Sequence, residues 1–173
     1  RVERVQDLQR WILLRLHKAC EHADWPRFKL WCNYLLASRE TMELRKEERQ
    51  RGAALLKLLP DLGITIPAGQ RESLAATQLA GMALAATQWE ISAEKTCSGY
   101  AWSWLESTVM AGVKLIPLGQ THGQQLTLKL AEKIPGAVSA ARAVIDSEIG
   151  SSSAAQAIAS SRHETQYTRL FRS

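Results

Sequence analysis

Apolar residues in this chain recur at three- and four-residue spacing, the signature of helices with one buried face. Phe28, Trp31, Leu35 and Leu36 form one such set, and Ala101, Leu105, Val109 and Val113 another. Asp24 ahead of Trp25-Pro26 predicts a helix start, because an aspartate can accept a first-turn N–H that has no partner in the helix, and a proline there has no N–H to satisfy. The pattern from Gly52 to Leu59 stops at Pro60-Asp61-Leu62-Gly63, and residues 64–69, with Pro67, read as a connection. Ile64-Thr65-Ile66 alternates, but over too short a run to build a sheet. Residues 72–91 are crowded with alanine around Gly81, which predicts neighbouring helices in close approach. Trp102 and Trp104, two apart, cannot share a helix face, so one of them is expected at a groove or a subunit contact. No internal repeat or second domain is visible, and the expectation is all-α: one helical bundle of about seven to ten helices over residues 1–173, joined by short loops.

Two stretches carry more than packing. Pro117 has no N–H for the carbonyl of Val113, so a helix running through residues 109–114 should kink or end near Lys114. A lysine there can complement the negative end of the helix dipole, or it can present a cation to a partner. The second stretch is the ending, residues 162–173. It follows the Gly150-Ser151-Ser152-Ser153 break and a short Ala/Ile-rich run, and it holds three arginines, a histidine, a tyrosine and a Leu-Phe pair. Most chains finish in dispensable residues. This ending offers both charge and aromatic anchors.

Composition narrows the classes. With 173 residues, 46% of them hydrophobic and 23% charged, the chain can bury a core without disulfides or a metal. No run of eighteen apolar residues and no signal-like apolar core follows Arg1, so the default expectation is a cytoplasmic protein with no membrane partner. Cys20, Cys32 and Cys97 share no C-x-x-C spacing and read as buried or idle thiols. His17 and Cys20, three apart with His22 nearby, could share a helix face and suit nickel, but no further ligand converges in sequence; surface histidines beside a buried cysteine are the expectation, with no metal site and no cofactor. The net charge is +5, yet in residues 39–51 the cations alternate with glutamates, and Glu47 and Arg51 sit four apart as a helix-face pair. That run reads as a solvated face rather than a phosphate-binding stripe, and no nucleic acid is expected as a partner. Phosphate-loop, nucleophile-elbow, HExxH and dinucleotide-turn patterns are absent, so no catalytic residue is assigned and no nucleotide hydrolysis is expected.

The stretch Val109-Met110-Ala111-Gly112-Val113-Lys114-Leu115-Ile116-Pro117-Leu118-Gly119-Gln120 and the ending from Arg162-His163-Glu164 to Tyr167-Thr168-Arg169-Leu170-Phe171-Arg172-Ser173 together closely resemble the UreF family of urease accessory proteins. The resemblance extends through Leu35-Leu36-Ala37-Ser38-Arg39-Glu40-Thr41-Met42-Glu43-Leu44-Arg45, Leu79-Ala80-Gly81-Met82 and Tyr100-Ala101-Trp102-Ser103-Trp104-Leu105-Glu106. It implies a non-catalytic chaperone component of nickel insertion. Such a protein forms a homodimer, binds the accessory protein UreD (also called UreH), recruits the GTPase UreG and couples GTP hydrolysis to nickel delivery into apo-urease. On that resemblance the partner-binding residues are Lys114, Arg162, His163, Glu164, Tyr167, Arg169, Leu170, Phe171 and Arg172. The resemblance also implies an apolar, Pro-Val-Gly and serine-rich aromatic segment before Arg1 and further residues near 12–13, so the chain reads as truncated at its start and the continuity of a helix over residues 2–23 stays open. A helical nucleic-acid-binding regulator is the alternative, on helicity and a pI of 9.3.

Overall fold

The computed structural model describes residues 3–116, 119–148 and 154–166. Among them stand nine α-helices and no strand: α1 (Glu3–Glu21), α2 (Trp25–Ala37), α3 (Met42–Leu58), α4 (Arg71–Ala76), α5 (Gln78–Gln88), α6 (Ala93–Leu115), α7 (Gln120–Ala131), α8 (Ile134–Ala143) and α9 (Ala154–Glu164), with a 3-10 turn at Asp146–Glu148 before α9. The all-α bundle expected from the periodicity is the architecture found.

Helix α1 is its axis and packs against α2, α5, α6 and α8. It buries Leu8, Ile12, Leu13, Leu16, Ala19 and Cys20, a stripe at helical spacing, against Phe28, Trp31, Cys32 and Leu35 of α2, Leu79, Ala83 and Leu84 of α5, and Val138 and Ala141 of α8. The helix runs unbroken through Ile12 and Leu13, both wholly buried.

Local chemistry sets the helix ends. Asp24 Oδ1 accepts the Arg27 N–H at 3.1 Å with Pro26 in the first turn, as the sequence predicts. Thr41, in extended conformation, caps α3 by accepting the Leu44 N–H at 3.3 Å. Beyond α3 the chain turns through Pro60, with Gly63 in the left-handed region at φ +75°, and Ile64 drops back into the core. Asp146 ties the run after α8 to the first two helices: Arg15 Nε of α1 lies 2.9 Å from its carboxylate and Arg27 Nη2 of α2 lies 3.7 Å from it. Arg15 also donates to the Val144 carbonyl.

Two expectations are corrected. The stretch 39–51 is only partly a solvated face. Glu47 and Arg51 do pair at 3.5 Å in the open, but Arg39 and Glu48 are buried together. Glu48 Oε2 accepts from Arg39 Nε at 3.1 Å and Nη2 at 2.6 Å, and its Oε1 accepts from the Thr77 hydroxyl at 2.5 Å. Burial first, and the Glu48 charge next, push neighbouring Tyr100 up to about 12. The alanine-rich stretch forms two helices, because Thr77 leaves the helical conformation and caps α5 by accepting the Leu79 N–H at 3.2 Å. The close approach expected at Gly81 is present: a Cβ there would stand 2.7 Å from Leu55 Cδ2 of α3. Second, His17 is not a surface histidine. It is 2% exposed and donates through Nε2 to the Ile91 carbonyl at 2.8 Å, which locks α1 to the α5–α6 connection.

Candidate partner-binding surface

Helix α6 ends one residue beyond the predicted lysine. Ile116 is extended (φ −119°, ψ 136°), as a residue before proline tends to be, and its N–H still closes onto the Gly112 carbonyl at 2.8 Å. Lys114 is exposed in the last turn, where its charge complements the dipole, and its ammonium hydrogen-bonds no described residue. Beside it Leu115 and Ile116 are 77% and 57% exposed. Helix α6 packs on α7, where Gly123 admits Val113 and Val109, and its end presents a cation and two exposed apolar side chains. Lys114→Ala is expected to lower the melting temperature by no more than about 3 °C, the effect of one dipole-complementing charge in a domain of this size; a thermal melt checks it.

The other candidates lie on α9 or beyond it. Arg162 is exposed, whereas His163 and Glu164 are half-buried against the first turn of α3. Glu164 Oε1 accepts the Glu43 backbone N–H at 2.7 Å, His163 Nδ1 lies 2.8 Å from Glu43 Oε2, and the Ser160 and Thr41 hydroxyls are 2.8 Å apart. Tyr167, Arg169, Leu170, Phe171 and Arg172 lie outside the described residues. The two parts of the candidate surface therefore sit on different supports, Lys114 on the α6–α7 pair and α9 on α3. Sequence reasoning missed Thr41 and Glu43, which follow the end of α2 by four and six residues and serve α3 as its cap and first-turn acid.

Burial pushes all three thiols up to about 12. Among the described residues no three His, Cys, Asp or Glu side chains gather where a metal could sit, and no helix is long and apolar enough to cross a membrane.

A sequence model of the UreF family matches residues 4–131. The urease accessory protein UreF of Pseudomonas putida strain W619 is 49% identical over 162 residues, covering 94% of this chain and 72% of the relative. That of Klebsiella pneumoniae strain 342 is 48% identical over the same shares. That of Alcanivorax borkumensis is 49% identical over 175 residues, covering 98% of this chain and 76% of the relative. With half of the aligned positions identical along nearly its whole length, the chain belongs to the UreF family of urease accessory proteins, which are helpers rather than enzymes.

Proposed function

We propose that the chain works in the cytoplasm as a homodimeric bridge between UreD and the GTPase UreG, so that GTP hydrolysis is coupled to nickel delivery into apo-urease. Family membership supplies the setting. The observation that carries the reading is the exposed end of α6, where Lys114 stands beside uncovered Leu115 and Ile116, the mix of charge and apolar area that a protein partner covers. On this reading Lys114 meets the GTPase, and the ending, through residues 167–173, engages UreD and shapes the platform for UreG.

The test removes residues 167–173, which takes away Tyr167, Arg169, Leu170, Phe171 and Arg172 and leaves every core residue among the described ones in place. Circular dichroism and melting should match the intact chain, while capture of UreD and UreG should fall by at least about tenfold, as expected when aromatic and arginine anchors are lost. Capture of both at the intact level would overturn the tail's role. In the assembled complex, Lys114→Ala should change the GTP hydrolysis rate, and Lys114→Arg separates a bare charge requirement from a compact ammonium contact.

A further inference from the structure

We propose that Thr41 and Glu43, at the start of α3, are the anchor of the C-terminal segment, and that Ser160, His163 and Glu164 serve this anchor instead of touching a partner themselves. The consequence for partner capture rests on the reading that residues 167–173 bind UreD; the anchor itself does not.

The geometry on the α9 side is that of one face. Ser160, His163 and Glu164 fall at i, i+3 and i+4, so they line up on the same side of the helix, whereas Ser161, Arg162 and Thr165 point elsewhere and are exposed. Each of the three meets a group on the first turn of α3. The N-terminal N–H groups of a helix have no partner inside it, and a carboxylate is favoured at the positive end of the dipole. Thr41 satisfies the Leu44 N–H from within, and Glu164 satisfies the Glu43 N–H from 121 residues away in sequence, at 2.7 Å. His163 Nδ1, donating, reaches the Glu43 carboxylate at 2.8 Å, and the Ser160–Thr41 hydroxyl pair closes the third point. Three contacts along one face define both the position and the direction of a helix. The contact is polar: Ile158, the largest apolar side chain described on α9, is 54% exposed. Such a dock orients the segment without fusing it to the core. It also links two separated stretches, residues 35–45 and the ending, through contacts that neither stretch shows alone.

Two measurements on the full chain test this. Glu43→Ala should leave the bundle folded and make amides 154–166 exchange about tenfold faster, as loss of a charge-assisted hydrogen bond implies. Ser160→Ala, on the surface of α9, should act in the same direction and stands in should Glu43→Ala fail to fold. Unchanged exchange in a folded variant overturns the anchor. The second measurement is UreD capture, which Glu43→Ala should weaken by about fivefold or more, since an unoriented segment binds with an added ordering cost. Glu43→Cys with His163→Cys, bridged by a short bis-maleimide, should restore capture to within about twofold because the linkage replaces the orientation. Cys20, Cys32 and Cys97 are buried, which keeps their thiols from the reagent while the fold is intact. Failure of the bridged chain to capture UreD would show that His163 touches the partner and overturn the positioning role. If removing residues 167–173 leaves capture intact while Glu43→Ala still speeds exchange, the partner reading falls and the anchor stands.

Discussion

Glu48→Ala is expected to lower the melting temperature by about 10 °C, the largest loss for any single side chain outside the apolar core. The carboxylate is 6% exposed and holds Arg39 and Thr77 at once. Removing it strands a guanidinium that is itself buried, and an uncompensated buried charge costs about 3–5 kcal/mol, or about 2–4 °C for each kcal/mol in a domain of this length. The sign of a second experiment separates stranded charge from lost packing. Replacing both partners with apolar residues of similar volume, Arg39→Met with Glu48→Leu, removes the orphan and should recover most of the loss, because buried pairs contribute little over an apolar substitute. Thermal melts of the two variants decide it; a double variant no more stable than Glu48→Ala would show that packing against the α4–α5 joint carries the cost.

Gly52→Ala is expected to destabilise by about 2 kcal/mol although alanine is the better helix former by about 1 kcal/mol. A Cβ at Gly52 would stand 2.6 Å from the Ala75 carbonyl oxygen and 2.7 Å from the Thr77 nitrogen. These are backbone atoms, fixed by the Thr77 hydroxyl to Glu48, so α3 and the α4–α5 joint would have to separate. Gly81→Ala is the control. Its added Cβ meets only the Leu55 side chain, which is half-buried and can rotate, so the cost should stay below about 1 kcal/mol. Equal melting shifts for the two variants would refute the distinction between backbone and side-chain crowding.

What was legible in the sequence was local. Asp24 with Pro26, the stop at Pro60 and the helix end before Pro117 act within a few residues, through sterics and hydrogen-bonding groups that composition displays directly. Gly81 was legible because a small residue in an alanine run has little purpose except close packing. Arg39 and Glu48 were not, since nine residues apart among alternating charges they look like a wet face; only Thr77, from a different part of the chain, makes that side an interior. The break at Thr77 hid for a similar reason, with no glycine or proline to announce it. For the candidate site, Lys114 was placed by its proline. The contacts of His163 and Glu164 with α3 were not legible, because 120 and 121 residues separate them from the Glu43 groups they meet.

The bundle is held in two ways that respond differently to the solution around it. Its apolar core carries little charge for dissolved ions to screen. The run after α8, by contrast, is tied to α1 and α2 at Asp146 by Arg15 and Arg27, on a rim where the aspartate is 48% exposed. Pairs of this kind contribute about 0–1 kcal/mol and weaken as the screening length falls from about 10 Å at 0.1 M salt to about 3 Å at 1 M. Ionic strength is therefore a dial on the stretch leading toward α9, and chains kept in dilute and in concentrated salt share one core while differing in how firmly that stretch is held.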